Sequence, residues 1–311
     1  MYNNKFLNVV KNKIRERKKL AEDIAEKNLN TALSNTEFKE LYRKERELIS
    51  VLAKKMAFGE KVDMSELNDI KEKEKTALEK IKLSLEDLKP KYACNICNDT
   101  GIYENNFCEC VKAEMSKNLL EKTGYKKDLQ SFEKSNFDLF DKETKDDTIM
   151  FYDKMKQWCN KDSKIKNILI CGATGIGKTY LLECMTNELI SNNKYAIMTT
   201  AFNLNQNFLK YHTTFNESKI EFLEPYLDCD VLLIDDLGTE PILNNVTLDY
   251  LYLVINQRNI ENKAIVISTN LDIEELMQRY GERITSRLIN KQTSIAYKMQ
   301  NSDLRLKKCN K

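Results

Sequence analysis

The sequence predicts an α/β fold with a parallel sheet, preceded by a small helical domain with a cysteine-rich zinc knuckle. From about residue 147, helical patterns alternate with short apolar, β-branched runs, which is the order typical of parallel sheets. A glycine-rich loop follows the first of those runs. Before residue 90 the chain has no proline and one glycine, and its apolar residues recur at spacings of three and four, which indicates helices.

The composition limits the number of domains and the classes of partner. A chain of 311 residues suffices for one domain of about 150 to 200 residues and a smaller one. Charged residues make up 32% but the net charge is only +2, so any contact with DNA must be local. The first residues, MYNNKFLNVVKNKIRERKK, contain no apolar run as long as a signal peptide or membrane span requires. We therefore expect a cytoplasmic protein that does not contact a membrane.

Residues 1–89 are predicted to form a module of three amphipathic helices. Breaks are expected near residues 30–35 and 58–63, where Asn, Ser, Gly and Asp provide turn and N-cap chemistry. Helices with so many charges could form either a bundle that binds a partner or a long coiled coil. The basic run KNKIRERKK is interpreted as a solvated helix face and is not assigned to DNA.

Residues 90–112 contain four of the nine cysteines, spaced as C-x-x-C and C-x-C: Cys94, Cys97, Cys108 and Cys110. We expect reduced thiols, because a disulfide framework requires an oxidising compartment. Thiolates at this spacing on a tight turn suit one tetrahedral ion, which predicts a four-cysteine zinc knuckle. The single histidine, His212, is far downstream. Thiols without a metal and an iron–sulfur cluster are the alternatives.

Residues 113–146 are predicted to be a polar linker. Four apolar side chains in it are expected to pack on the domain that follows: Phe132, Phe137, Leu139 and Phe140. That domain spans residues 147–311. Its predicted strands are KNILICG, YAIMTTA, DVLLIDD, KAIVIST and TSIAYKM.

The loop after the first strand has the pattern G-x-x-x-x-G-K-T, followed by a helix. Its residues are Gly172, Ala173, Thr174, Gly175, Ile176, Gly177, Lys178 and Thr179. The glycines allow successive backbone N–H groups to surround phosphates, and the helix adds its positive N-terminal end. Lys178 is expected to reach the β and γ phosphates, and Thr179 offers a hydroxyl to Mg²⁺. The pattern therefore predicts that ATP and Mg²⁺ bind here.

Two acids and an amide follow later strands. Asp235 and Asp236 end DVLLIDD, at the carboxyl edge where open α/β sheets bind ligands. Asp235 suits Mg²⁺ binding through water, and Asp236 is placed to orient or deprotonate the attacking water. Asn270 ends KAIVISTN and could hydrogen-bond that water or the γ-phosphate. The alternatives are exposed loop carboxylates for the acids, and a cap for the following helix in the case of Asn270.

Three arginines lie in LDIEELMQRYGERITSRL: Arg279, Arg283 and Arg287. The last two are four residues apart, so on a helix they share one face. A guanidinium there could complete the ATP site of a neighbouring subunit or form surface salt bridges.

Together, GATGIGKT, VLLIDDLG, STN, GERITSRL and SDLRLKK resemble the AAA+ ATPase core of bacterial DnaC/DnaI-type replicative helicase loaders. The resemblance covers roughly residues 130–311, and the preceding region is similar in layout to the helicase-binding part of DnaI-like loaders. It implies Walker A at Gly172 to Thr179, Walker B at Asp235 and Asp236, and sensor 1 at Asn270. It also implies an arginine finger at Arg287, with Arg283 as the runner-up, and sensor 2 at Arg305.

The resemblance also implies how the protein works. Asp236 stands where most AAA+ proteins have Glu, so hydrolysis is expected to be slow and stimulated by partners. The implied partners are a hexameric replicative DNA helicase, gripped by residues 1–89, single-stranded DNA, and further copies of the chain, which associate through the ATP site. For DNA, the segment NLNQNFLKYHTTFNESK mixes aromatic and positive side chains, and Lys210, Tyr211 and Phe215 are the predicted contacts. An ordinary amphipathic helix explains the same residues.

The implied function is ATP-dependent loading of the replicative helicase onto single-stranded DNA at replication initiation. A transposition helper ATPase of the IstB type has a closely similar core and is the alternative; as the resemblance goes, such helpers lack the thiol knuckle. A non-catalytic adaptor in which ATP is structural is a third class.

Overall fold

The structure is a computed structural model that describes residues 4–59, 62–122 and 129–306. The chain divides into two compact units, called here the helical unit, Lys11–Asn106, and the sheet unit, Phe107–Lys311 with Met1–Val10. The domain boundaries at residues 89, 112 and 146 remain predictions. The two lysines of SDLRLKK, Lys307 and Lys308, lie outside the described residues.

Three helices precede the cysteines, as predicted: α1 (Asn4–Leu33), α2 (Thr36–Ala57) and α3 (Ser65–Lys80). Asn35 begins α2, because its side chain accepts a hydrogen bond from the backbone N–H of Phe38 at 3.0 Å. Helices α2 and α3 pack on each other, and the buried core beside their ends contains Ala32, Phe38, Ala77 and Leu78. The predicted breaks between the helices are confirmed. After α3 the strands β1 (Ile102–Tyr103) and β2 (Asn106–Phe107) form a small two-stranded sheet.

The sheet unit contains a five-stranded parallel sheet in the order β4-β5-β6-β3-β7. The strands are β3 (Asn167–Cys171), β4 (Ala196–Thr200), β5 (Val231–Leu237), β6 (Ala264–Thr269) and β7 (Ser294–Lys298). All five predicted strands are present and every pairing is parallel. The helices are α4 (Glu109–Lys122), α5 (Lys145–Asn160), α6 (Lys178–Ser191), α7 (Ala201–Thr213), α8 (Glu224–Asp228), α9 (Thr247–Ile260), α10 (Ile273–Tyr280) and α11 (Glu282–Leu288). Strands β3, β5 and β6 are almost wholly buried, as expected for a sheet covered on both faces.

The segment predicted as a linker contributes to the core of the sheet unit. Helix α4 lies against the edge strand β4, with Ala113 buried in the core. The Ser116 hydroxyl oxygen accepts a hydrogen bond from the backbone N–H of Ala196 at 2.9 Å. Val111, Met115 and Leu120 of α4 are also buried. Residues 123–128 of the segment lie outside the described residues.

The aromatic group of that segment packs as predicted. The rings of Phe132, Phe137 and Phe140 surround Tyr152 on α5, with centroid distances of 5.2 to 6.4 Å. All three extend the core cluster of the sheet unit. The chain before α5 is therefore held close to the glycine-rich loop that precedes α6.

Candidate functional site

The glycine-rich loop joins the end of β3 to the start of α6. Gly175 and Gly177 have φ values of +83° and +98°, which residues with a side chain rarely adopt. A Cβ on Gly175 would also lie 2.1 Å from a carboxylate oxygen of Asp303, so that side chain would have to move. The backbone N–H of Leu304 donates to the Gly175 carbonyl at 3.0 Å. The last described segment therefore lies directly against the loop.

Lys178 connects this loop to the end of β6. Its Nζ donates to the carbonyl oxygens of Gly172 at 2.8 Å and Ala173 at 2.7 Å, and to Asn270 Oδ1 at 2.7 Å. Burial lowers the pKa of Lys178, and the negative charges of Asp236 and Asp235 oppose this change. Asn270 therefore contacts the loop lysine, and the residue that caps the following helix is Asp272.

Asp235 lies at the carboxyl end of β5, between two hydroxyl groups. Its Oδ2 accepts a hydrogen bond from Thr179 Oγ1 at 2.9 Å, and its Oδ1 accepts one from Ser268 Oγ at 2.5 Å. Burial raises the pKa of Asp235, and these two hydrogen bonds oppose the rise. The side chain is thus buried and held by two strands and a helix, which excludes an exposed loop carboxylate.

Asp236 adopts an unusual backbone conformation beside Asp235. Its φ is +56°, and the register of β5 against β6 shifts at this point. The backbone N–H of Asp236 donates to Ser268 Oγ at 2.9 Å, so one hydroxyl contacts both acids. Thr269 Oγ1 donates to the Leu237 carbonyl at 2.6 Å and holds the other side of the bulge. Side chains of β6 therefore fix a left-handed residue at the site, where such strain is often functional.

A cavity of about 410 Å³ brings most of the predicted site residues together. Its polar wall contains Gly175, Lys178, Thr179, Asp236 and Asn270, and Arg305 also lines it. Its other wall was not predicted as part of the site. That wall contains Lys134, Ser135, Asn136, Leu139, Phe140, Tyr152, Tyr180 and Leu304. The sequence feature that could have indicated this wall was the apolar group in the predicted linker. We had expected those side chains only to pack on the following domain.

A larger cavity, of about 790 Å³, lies between α5 and the edge strand β7. None of the predicted site residues lines it. We assign the functional site to the smaller cavity because the phosphate-binding loop, Asp236 and Asn270 meet there.

Arg283 and Arg287 lie elsewhere, on α11. Their guanidinium carbons are 4.6 and 4.7 Å from the ring centroid of Tyr252 on α9. Arg287 Nε also donates to Asn256 Oδ1 at 2.8 Å, and one terminal nitrogen donates to the Arg283 carbonyl at 2.8 Å. Across residues 4–59, 62–122 and 129–306, no ion pair joins either arginine to an acid. Neither arginine lines the cavity in its own chain.

The residues predicted to contact DNA lie on and after α7. Lys219 Nζ is 5.3 Å from the ring centroid of Tyr211, and Lys210 Nζ is 5.9 Å from that of Phe222. Phe215 is 96% exposed. The opposite face of α7 buries Leu204 and other residues in the sheet unit. The helix is therefore amphipathic, and it also presents aromatic rings next to lysines.

The four cysteines of the predicted knuckle cluster as expected. The sulfur atoms of Cys94, Cys97, Cys108 and Cys110 all lie within 4.8 Å of one another. Gly101 donates its backbone N–H to Cys97 Sγ at 3.4 Å, as backbone groups do around thiolate ligands. Four convergent thiols are the donor set of structural zinc sites, so these residues fit the predicted ion.

The basic run of α1 is less solvated than predicted. Arg17 donates to Asp99 Oδ1 at 2.6 Å, and the Asp99 side chain is fully buried. The same carboxylate accepts hydrogen bonds from the backbone N–H groups of Ala93 at 2.8 Å and Cys94 at 3.0 Å. The prediction of a solvated face is wrong for Arg17, because a buried carboxylate requires a partner. Asp99 thereby links α1 to the first cysteine turn.

Among the described residues, no helix has the length and apolar character needed to cross a membrane.

Residues 122–311 match the family of IstB-like ATP binding proteins. Phage-like element PBSX protein XkdC of Bacillus subtilis is 28% identical over 64% of this chain and 79% of its own length. The chromosomal replication initiator protein DnaA of Campylobacter jejuni subsp. doylei is 30% identical over 44% of this chain, which spans only 31% of that relative. A crystal structure of DnaI matches with a TM-score of 0.45 and 23% identity, over 57% of this chain and 90% of that one. Because the family match covers more than half of the chain and the phosphate-binding loop and acids meet as described, this protein belongs to the IstB-like ATP binding proteins and is an AAA+ P-loop ATPase.

Proposed function

We propose that this protein is an ATP-dependent loader of a hexameric replicative DNA helicase onto single-stranded DNA. The observation that carries the proposal is the four-cysteine cluster, which follows three helices and precedes the ATPase core. This order of modules resembles that of DnaI-like loaders. Transposition helpers, in contrast, resemble this chain only in the ATPase core. A relative named as a chromosomal replication initiator supports a role in replication.

In this proposal each polar residue of the site has a distinct role. Lys178 binds the phosphate oxygens, and Arg305 adds positive charge from the opposite side. The hydroxyl of Thr179 and the carboxylate of Asp235 are hard oxygen donors 2.9 Å apart, which suits Mg²⁺. When bound, Mg²⁺ neutralises charge on the β and γ phosphates. Asp236 orients or deprotonates the attacking water, and Asn270 holds that water relative to Lys178.

The apolar wall of the cavity suits the base of the nucleotide. Leu139, Phe140 and Leu304 offer flat or aliphatic surface beside the polar loop. Tyr152 connects this wall to the rings of the preceding segment. The segment before α5 therefore helps to select a nucleotide, in addition to covering the core.

Arg287 acts in trans, on the ATP bound by an adjacent copy of the chain. Its position outside its own cavity and its contacts with Tyr252 and Asn256 support this role. A finger supplied in this way increases turnover by roughly 10³- to 10⁵-fold in other nucleotide hydrolases. In the same assembly, Lys210, Tyr211 and Phe215 contact single-stranded DNA by charge and stacking.

The loading reaction can be tested with the full-length chain and the replicative helicase encoded in the same genome. The two are mixed with ATP and circular single-stranded DNA, and helicase retained on the circle is measured after a salt wash. We expect retention that requires this chain and ATP and that Lys178→Ala abolishes. Helicase that neither binds the chain nor is retained would refute the proposal.

The family assignment favours one other candidate, a transposition helper. Such a protein would polymerise on duplex DNA with ATP and recruit a transposase. Sedimentation of the chain with long duplex DNA, with and without ATP, separates the two functions. ATP-dependent filaments on duplex, together with no binding to the helicase, would favour the helper.

A further inference from the structure

Glu240 is a buried acid that the ATP chemistry does not use. It follows the Walker B acids by a few residues, and it is only 2% exposed. Its Oε2 accepts a hydrogen bond from the backbone N–H of Gly238 at 3.0 Å, which fixes the loop just after Asp236. Its Oε1 accepts a hydrogen bond from the hydroxyl of Tyr280, the last residue of α10. One carboxylate thus joins the Walker B loop to the end of a helix.

The neighbouring Arg279 compensates the buried negative charge. Its Nε donates to the Tyr280 hydroxyl oxygen at 3.3 Å, and a terminal nitrogen donates to the Glu240 carbonyl. Burial and the charge of Glu240 raise the pKa of Tyr280, so the hydroxyl stays protonated and donates to the carboxylate. A buried carboxylate needs a hydrogen-bond donor and a nearby cation. Because Tyr280 and Arg279 supply both in this geometry, the contact holds the Walker B loop and the end of α10 in one arrangement.

Tyr280 leads directly into the helix that carries the arginines. Gly281 has φ +79° and no atom within 4 Å of its missing Cβ, so its backbone conformation, and not lack of space, requires glycine. Helix α11 begins at the next residue. At the other end of α11, the Arg287 carbonyl accepts hydrogen bonds from Asn167 Nδ2 at 2.8 Å and Asn259 Nδ2 at 3.0 Å. The Glu240–Tyr280 contact therefore anchors the start of α11, and the two amides anchor its end.

We propose that Glu240 and Tyr280 are positioning residues that fix α11 relative to the Walker B loop of the same subunit. Each subunit then presents Arg287 to its neighbour in an orientation that is set by the backbone of its own Walker B loop. This inference depends on the proposed action of Arg287 in trans.

The test uses two inactive full-length variants whose defects are complementary. Lys178→Ala keeps Arg287 and serves as the finger donor, whereas Arg287→Ala keeps the phosphate-binding loop and serves as the acceptor. Their mixture recovers turnover if the site is shared. Tyr280→Phe, which removes one hydroxyl, is then added to the donor alone or to the acceptor alone. We expect turnover to fall about five- to tenfold when it is in the donor, and to change less than about twofold when it is in the acceptor.

Two further variants exclude a general effect on folding. Tyr226→Phe removes another buried hydroxyl, which accepts a hydrogen bond from Asn207 at 2.9 Å on the far side of β5, and should change neither mixture. Glu240→Gln keeps the side-chain shape and should reproduce the donor-side loss if Tyr280→Phe folds poorly. Equal losses on both sides, or none on either, would overturn the inference. A parent mixture that co-assembles but recovers no turnover would refute the shared site itself, before any Tyr280 variant is compared.

Discussion

The two compact units of the chain differ in how they bury polar side chains. In the sheet unit, Lys178, Asp235, Glu240 and Ser268 are buried, and each is hydrogen-bonded to a different segment. In the helical unit Asp99 is paired with Arg17, but the buried Glu74 has one carboxylate oxygen without a hydrogen-bond partner among the described residues. Because a buried polar group is costly unless it is paired, the dense hydrogen-bond network around Lys178 and Asp235 marks the place in the chain where charge chemistry occurs.

The largest expected effect follows from replacing Asp236, the acid assigned to the attacking water. Asp236→Asn should keep nucleotide binding but lower turnover by about 10²- to 10⁴-fold, because the Asp236 carboxylate acts on the attacking water and not on the phosphates. Lys178→Ala should instead weaken nucleotide binding by about 10- to 100-fold, because it removes a charged donor. Binding of a fluorescent ATP analogue and steady-state turnover separate the two. Equal loss of binding in both variants would contradict these roles.

The next effect concerns the cysteine cluster. The chain should carry about one zinc, and Cys94→Ser or Cys110→Ser should lose it, because structural sites need all four ligands. Metal binding is part of the folding energy of such a site, so a chelator should unfold the N-terminal region while ATP binding survives. Cys159→Ser, a buried cysteine on α5, is the matched control and should keep the metal. Metal analysis that finds no zinc in freshly prepared, reduced protein would contradict the prediction.

The sequence was sufficient to predict the parts of the site that are contiguous in the chain. The phosphate loop, the acids after β5 and the five strands each have a local pattern, because backbone conformation and strand burial constrain neighbouring residues directly. The cysteines also follow this rule, since their spacing alone predicted that four thiols meet at one site. Helix boundaries were predictable from the same kind of signal, as Asn35 illustrates by capping α2.

The remaining features depend on contacts between segments that are distant in the chain. Only the alignment of β6 with β5 shows that the Ser268 hydroxyl contacts both acids. Likewise, Arg17 pairs with Asp99 across 82 positions, so a local charge pattern could not reveal it. The packing of α4 was missed because Ser116 contacts the backbone of Ala196 across 80 positions.

A smaller effect is expected where β6 holds both acids. Ser268→Ala should lower turnover about tenfold, because the buried carboxylate of Asp235 loses a hydrogen bond and the strained backbone of Asp236 loses its acceptor. Nucleotide affinity should change much less, and the Mg²⁺ concentration needed for half-maximal turnover should rise. Ser268→Thr keeps the hydroxyl and should restore most of the activity. A loss that threonine does not rescue would indicate a packing role.

The smallest expected effect concerns Glu74, the buried acid of the helical unit that has one carboxylate oxygen without a hydrogen-bond partner among the described residues. Burial, with a further contribution from Glu45, raises the pKa of Glu74 to about 7 from its ordinary 4.5. The folded state therefore favours the protonated acid. The contribution of Glu74 to the free energy of unfolding is complete below pH 4.5 and is lost as the pH rises through about 7. Glu74→Gln removes this titration and should raise the melting temperature at pH 8 by a few degrees, with little change near pH 5.

The matched control for this last effect is Glu72→Gln, an exposed position on the same helix. It changes the net charge of the chain by the same amount, but it removes no buried group. Melting followed by circular dichroism across this pH range should therefore show a pH-dependent difference for Glu74→Gln and a constant one for Glu72→Gln. If the two variants respond alike, Glu74 ionises as freely as a surface acid.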